Sequence, residues 1–358
     1  MVYLDNAATT SPRFHAWDWG SYWMNSNMPY ARGAQYMLDT AREDIKKCLK
    51  VNSGKVLFCR CATEAVEWLC NRLGRRPGTV ICCSPYEHDS VAEAIKAARF
   101  NDATTRIPKD CDTYLQQYVN QMTGEIFDIA RIGEEVWATT DGYAFYGVDM
   151  TAAIGHTPIP DGLDTFCDAI WFSGHKFHVE KGIGAIWLSD RLFEYLGGSK
   201  DSKNEYGLIH GTVNVPAAIA LSQGLESAIN AYNIFAEQMY ADLSDHLARE
   251  LSNWRMNGGV DAKMVCGDDK KKSQAIWSIT FPGINADALQ TYLASKQIYI
   301  STGHSACAND ADYRVLKAYG LSQEDCECTV RISFSVYTTK EDIDQFIQGV
   351  KEYKETYL

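Results

Sequence analysis

The sequence predicts an α/β protein, with a large domain on a mostly parallel sheet and a smaller α+β C-terminal domain. Three observations carry this. Helical and strand patterns alternate through the first two-thirds of the chain, the order expected of units that wrap a parallel sheet. After a helical stretch near 215–253 the pattern changes to half-buried alternating strands and a final amphipathic helix. The chain has 358 residues, 46% hydrophobic and 22% charged, enough for a sizeable core in two domains. The expected division is 12–250 for the large domain, with 1–11 and 251–358 forming the small one.

Taken in order, residues 34–49 space Met37, Leu38, Ala41, Ile45, Cys48 and Leu49 as one face of a helix. Lys55 to Cys59 is a short apolar strand, followed by a turn and a helix from Thr63 to Leu69. Thr79 to Cys83 is a second strand, and Asp89 to Ala98 a second short helix. Strands are expected near 136–139, 143–149, 167–172 and 183–188. In the last third, Ala275 to Phe281 alternates as a half-buried strand, and 298–300 and 329–334 are further strand candidates. Thr338 and Glu341 have capping-box spacing before a helix whose apolar positions are Ile343, Phe346, Ile347 and Val350.

The bulk numbers exclude some functions. A formal charge of −12 argues against a direct grip on nucleic acid, which needs basic surface. No apolar run reaches the roughly 18–20 residues that span a bilayer. The sequence opens without a signal-peptide pattern, and twelve cysteines sit at irregular spacings. Both point to free thiols in a reducing, cytoplasmic compartment. No cysteine pair has zinc or redox spacing, so no metal site is expected.

Candidate chemistry gathers around Lys176. It lies in Ser173-Gly174-His175-Lys176, between the apolar run 169–172 and the run 182–187. A buried ammonium is costly without a job or a partner. A lysine in such a place can form a Schiff base with an aldehyde cofactor, and pyridoxal phosphate also needs a carboxylate on its ring nitrogen. Asp149, at the end of another apolar strand, can supply that carboxylate. A surface lysine in a glycine-rich turn fits the same tetrapeptide. Cys61-Ala62-Thr63-Glu64 lies at a strand-to-helix turn, where main-chain N–H groups and the Thr63 hydroxyl suit a phosphate, or where Thr63 is simply a cap. His88 follows a strand and can stack on an aromatic cofactor or serve a structural hydrogen bond.

These motifs occur in a family order. Tyr3 to Thr10, Ala62 to Ala65, Glu87-His88, Val148-Asp149, Ser173 to Lys176, Gly182 to Gly184, Gly211-Thr212-Val213-Asn214 and Ser305-Ala306-Cys307 follow one another as they do in one group of enzymes. The chain resembles the cysteine desulfurases of the class V aminotransferase superfamily, fold-type I enzymes dependent on pyridoxal 5'-phosphate, from residue 3 to about residue 350. The resemblance implies that Lys176 holds the cofactor and shuttles protons, Asp149 keeps the ring nitrogen protonated, and His88 stacks on the ring. It assigns the phosphate to Ala62, Thr63, Ser173 and His175, with Thr212 reaching the phosphate of a neighbouring subunit in a homodimer. Asn6 would line the substrate approach and Arg331 would clamp the substrate carboxylate. Cys307, in the small polar stretch 301–310, would take sulfur from L-cysteine as a persulfide, leave L-alanine, and pass the sulfur to a protein acceptor. His304 would assist the thiol or only shape the turn. The resemblance places the protein in iron–sulfur cluster biogenesis or tRNA thiolation.

The chain departs from the family pattern at several positions. Ala152 stands where glutamine is usual three residues after the aspartate, and the family asparagine falls on Gln121, with Asn120 beside it. Gln121 then becomes the candidate for the ring hydroxyl. Ile209 and His210 precede Gly211-Thr212 in place of the usual arginine, and Tyr30 is nearest to a family histidine. Thr302-Gly303-His304 looks like the short-loop group and Ser305-Ala306-Cys307 like the long-loop group, leaving the acceptor open. Another lyase or aminotransferase of the superfamily, or a non-catalytic partner subunit, are the alternatives.

Overall fold

The structure, a computed structural model, describes residues 1–97, 106–200, 202–256, 262–265, 271–304 and 313–357. The chain divides into two compact units. The large one is Ser11–Tyr118 with Asp128–Asn230, and the small one is Met1–Thr10, Val119–Phe127 and Ala231–Leu358. This division falls earlier than residue 250, because helix Glu237–Met256 buries Tyr240, Leu243, Leu247 and Leu251 in the small unit's core. Val119–Phe127 adds a hairpin to the same unit. Val119 bridges Ile126, Glu125 bridges Lys272, and Ser273 N–H donates to the Gly124 carbonyl at 2.7 Å.

The large unit is built on six strands in the order Lys55–Cys59, Gly184–Leu188, Ala169–Ser173, Phe145–Asp149, Thr113–Gln117 and Ile81–Cys83. The last four pair in parallel, while Gly184–Leu188 runs antiparallel to both its neighbours. Strand Phe145–Asp149 is buried throughout, as expected of a sheet covered on both faces. Leu57, Leu69, Ile81, Val91, Leu115, Trp171 and Ile186 belong to one buried cluster under the helices Ala62–Leu73 and Asp89–Ala97. The carboxyl ends of five strands therefore share one edge, the place where open α/β sheets bind ligands.

Two segments differ from the sequence expectation. Residues 136–139 are not a strand but the end of helix Ile129–Thr139. The β-branched and aromatic run there is overruled by helical spacing of buried Ile129, Gly133 and Val136, and by the Asp128 cap on Arg131 N–H at 3.1 Å. Strand Thr113–Gln117 was not anticipated, because its buried positions include Gln116 and Gln117.

In the small unit, strands Ser301–Thr302, Thr329–Ser333, Ile276–Thr280 and Lys263–Met264 form an antiparallel sheet in that order. Leu4, Leu247, Trp277, Phe281, Phe334 and Phe346 are in its core. Helix Lys340–Tyr357 begins one residue later than the Thr338/Glu341 spacing suggests. Thr339 Oγ1 accepts Asp342 N–H at 3.2 Å and the Asp342 carboxylate accepts Thr339 N–H at 2.9 Å, a reciprocal cap. Thr338 Oγ1 instead accepts Ser335 N–H at 2.9 Å. Among the described residues no helix is long and apolar enough to cross a membrane.

Candidate active site

At the carboxyl edge of the large sheet, Asp149 ends one strand and Ser173 the next. The Asp149 side chain is buried, with the residue 6% exposed, and its Oδ1 accepts the Thr151 main-chain N–H at 2.8 Å. Burial pushes its pKa above the ordinary carboxylate value; Thr151, Trp171 and the charge of Lys176 oppose that shift without cancelling it. Trp171 lies opposite Asp149 in the register of the two strands. A protonated ring nitrogen placed beside this carboxylate would offset the cost of its burial.

Lys176 closes the short helical turn Gly174–Lys176 that follows strand Ala169–Ser173. It is half-buried rather than sealed in the core, so the cost argument made from the sequence applies only in part. Next to it, His175 has its pKa lowered from 6.5 to about 4, by burial first and then by the charges of Lys176 and Lys181. The imidazole is therefore neutral at physiological pH.

The phosphate candidates meet physically. Ser173 Oγ accepts the Ala62 main-chain N–H at 2.7 Å, joining the strand end to the first turn of helix Ala62–Leu73. The N-cap residue Cys61 contributes no side-chain hydrogen bond, which leaves first-turn N–H groups beside the Thr63 hydroxyl for an anion. Gly184 makes this approach possible. A Cβ there would sit 2.7 Å from the Phe172 carbonyl and 3.1 Å from Cys61 Cα. These donors fit a phosphate ester, as Asp149 fits the ring.

His88 precedes helix Asp89–Ala97, and its carbonyl accepts Val91 N–H at 3.0 Å. Its Nδ1 accepts the Ser90 N–H at 3.1 Å and lies 2.9 Å from Ser90 Oγ. The sequence reading missed what holds this turn. Glu87 is fully buried, and its carboxylate accepts the Gln117 main-chain N–H. Only the Glu-His pairing hinted at it. Thr212 is exposed in a turn that ends at Asn214, whose Oδ1 accepts Ala217 N–H at 3.2 Å.

The remaining candidates lie in the small unit. Arg331 is 7% exposed on strand Thr329–Ser333. Its Nη2 donates to Asp5 Oδ1 at 2.7 Å and Ser301 Oγ at 2.9 Å, and its Nη1 to the Gln121 carbonyl at 3.2 Å. Nε is buried with no hydrogen-bond partner. Asp5 and Ser301, which the sequence reading did not single out, thus fix the guanidinium plane. The Gln121 side-chain Oε1 is also buried without a partner, whereas Asn120 Oδ1 is committed to Met122 and Thr123 N–H, both at 2.8 Å. Of the two amides, Gln121 is the one with acceptor capacity to spare. Asn6 donates its amide to the Tyr3 carbonyl at 3.1 Å and the Ser333 carbonyl at 3.0 Å, so it offers a ligand only its side-chain oxygen. His304 Nε2 lies 2.9 Å from Asp287 Oδ1. Ser305, Ala306 and Cys307 lie outside the described residues.

A parallel sheet with one reversed strand, carrying such an edge, is the architecture of the fold-type I enzymes that use pyridoxal 5'-phosphate. The sequence comparison narrows this: the model for aminotransferase class-V matches residues 2–346, and the chain belongs to that family. It is 27% identical over 388 residues to the cysteine desulfurase IscS of Buchnera aphidicola subsp. Schizaphis graminum (strain Sg), covering 98% of this chain and 91% of that protein. It is 27% identical over 393 residues to the IscS of Salmonella paratyphi C (strain RKS4594), covering 98% and 92%. A solved NifS-like protein superposes with a TM-score of 0.83 at 24% identity, covering 99% of each chain. The NifS-like protein from Rickettsia africae ESF-5 gives 0.81 at 20% identity, covering 99% of this chain and 100% of that one. At those identities the structural likeness is one of fold.

Proposed function

We propose that the protein is a pyridoxal-phosphate-dependent cysteine desulfurase that converts L-cysteine to L-alanine. One observation carries the cofactor reading: a buried carboxylate, Asp149, and the Ser173–Lys176 turn stand at the ends of adjacent strands on one edge of the sheet. Relatives named cysteine desulfurase, similar over nearly the whole chain, support it. When bound, the cofactor supplies an electron sink that stabilises negative charge at the substrate's Cα.

The chain's own residues do the rest. Lys176 Nζ holds the cofactor and moves the Cα proton. Asp149 keeps the ring nitrogen protonated, His88 stacks on the ring, and Gln121 takes the ring hydroxyl in place of the glutamine replaced by Ala152. The helix turn at Ala62 and Thr63, with Ser173 and His175, binds the phosphate, and Thr212 serves the phosphate of a second copy in a homodimer. Arg331, held by Asp5 and Ser301, grips the substrate carboxylate, with Asn6 along the approach. The Cys307 thiolate attacks the substrate sulfur. The carbon–sulfur bond breaks, alanine leaves, and a persulfide remains on Cys307 for a protein acceptor in a cytoplasmic iron–sulfur or tRNA-thiolation route.

The test is mass spectrometry after addition of L-cysteine, with amino-acid analysis of the product. The expected result is a one-sulfur adduct on Cys307 with alanine released, and a visible absorbance that disappears in Lys176→Ala. Pyruvate and ammonia as products, or undiminished alanine formation by Cys307→Ala with a thiol acceptor, would sink the desulfurase mechanism.

A further inference from the structure

A buried ion pair in the large unit lies outside the roles assigned so far. Arg42, on helix Arg32–Cys48, donates from Nη2 to Glu205 Oε1 at 2.6 Å. The other carboxylate oxygen, Oε2, accepts the Phe58 main-chain N–H at 2.7 Å. Glu205 is 4% exposed and Arg42 8%. The guanidinium also lies 5.0 Å from the Tyr206 ring centroid and 5.7 Å from that of Phe58. A buried pair of this kind is weak evidence for stability, so its purpose has to be sought in what it holds.

Glu205 joins two segments. Phe58 is in Lys55–Cys59, the edge strand of the sheet, and its N–H would otherwise face away from any neighbouring strand. That strand runs directly into the Cys61-Ala62-Thr63 turn. On the other side, Glu205, Tyr206 and Gly207 take φ values of 45°, 59° and 77°, three successive left-handed residues of which two carry side chains. Such backbone persists only where its surroundings over-determine it, and it clusters at functional sites. The segment is pinned again at Leu208, whose carbonyl accepts the Trp68 indole N–H at 3.2 Å and Arg72 Nη2 at 2.5 Å. It is pinned a third time at Asn214, the cap of helix Val215–Ala231. Thr212 stands on the short exposed turn between the last two anchors.

We propose that Glu205 is a positioning residue for the cofactor phosphate, with Arg42 as its counter-charge: one carboxylate sets both the Thr63 turn and the turn that presents Thr212. This rests on the phosphate roles given above to Thr63 and Thr212. It adds no contact to the cofactor. It predicts that loss of the brace is felt through the phosphate alone.

The test titrates the apo protein with pyridoxal 5'-phosphate and with pyridoxal, which lacks the phosphate, and compares the two dissociation constants. Arg42→Met combined with Glu205→Leu removes the pair without stranding a buried charge, since Asp39, which also pairs with Arg42 at 2.9 Å, is exposed; cores often tolerate such a change. Supporting groups behind a metal ligand typically cost roughly ten- to a hundredfold in affinity when lost. By analogy, the double variant should bind pyridoxal 5'-phosphate at least about tenfold more weakly while its affinity for pyridoxal stays near wild type. Glu205→Gln, which keeps an acceptor for the Phe58 N–H, should recover part of the loss. Hydrogen exchange over 205–213 should be faster in the double variant even without cofactor. A folded double variant with the wild-type preference overturns the proposal, as does an equal loss for both ligands, which would mark a general structural role. A wild-type protein that does not prefer the phosphorylated ligand overturns the phosphate assignments themselves, and the brace with them.

Discussion

Replacing Asp149 by asparagine should push stability and activity in opposite directions. The carboxylate is buried and keeps one main-chain hydrogen bond, from Thr151 N–H at 2.8 Å, which an amide oxygen can also accept. What asparagine removes is the charge. Burial raises the folded pKa above the ordinary 3.8, so the folded protein holds this proton more tightly than the unfolded chain. The sign follows: stability from this group is full below 3.8 and is lost as pH rises through the raised folded value. At pH 7 this raised pKa makes the group a burden on the apo protein, and Asp149→Asn should stabilise it by about 1 kcal/mol, as is usual for relieving a functional site, and so raise its melting temperature. The difference should fade as pH falls toward 3.8.

Turnover should move the other way. A unit charge pair at contact is worth about 4 kcal/mol at an effective dielectric near 20. If that is realised at the transition state, its loss costs about a thousandfold in rate. The assays are thermal melts of the apo protein across pH 4–8 and alanine formation from L-cysteine at saturating cofactor. Turnover within about tenfold of wild type would refute the electronic role. An apo variant that melts lower at pH 7 would refute the claim that the group burdens the apo protein.

Two further outcomes follow from the same geometry. His175 is held neutral, its pKa down to about 4 against 6.5, so wild type should lose stability as pH falls from 6.5 to about 4. Because the ring is only half-buried, the loss should be on the order of 1–2 kcal/mol, and acid melts of His175→Gln should lack most of it; an unchanged acid limb would contradict the assignment. Arg331→Lys removes a planar fork already oriented by Asp5, so KM for L-cysteine should rise roughly tenfold or more with a smaller effect on kcat, and an unchanged KM would remove Arg331 from substrate binding.

The sheet edge was legible in the sequence because its parts are local. An apolar strand, a turn with a polar residue, and a helix lie within a dozen positions of one another around Thr63 and His88, and Lys176 lies between two apolar strands. The strand Thr113–Gln117 was not legible for a complementary reason. Gln117 is buried, but it is satisfied by Tyr86 and Glu87, which precede it by about 30 positions, and a polar strand whose partners are remote looks like a loop. The helical cap shows the scale of local error: Thr338 and Thr339 are equally good caps by type, and only the chain's path decides that Asp342 answers Thr339.

The supports of the site are harder to read than its reactive groups. Asp5 and Arg331 are 326 positions apart, and Arg42 and Glu205 163 apart. Glu205 occurs in Lys203-Asn204-Glu205-Tyr206-Gly207, which by composition is a solvated turn. Nothing in that stretch signals a buried carboxylate. Its meaning comes from a free edge-strand N–H and a guanidinium that the fold delivers to it. A reactive lysine or aspartate has to be of one residue type, and so leaves a mark in the sequence. A brace has only to reach two distant segments at once, and any acidic residue in the right loop will do. For that reason the threonines proposed to contact the phosphate could be listed from sequence alone, while the carboxylate inferred to aim them appears only once the chain is folded.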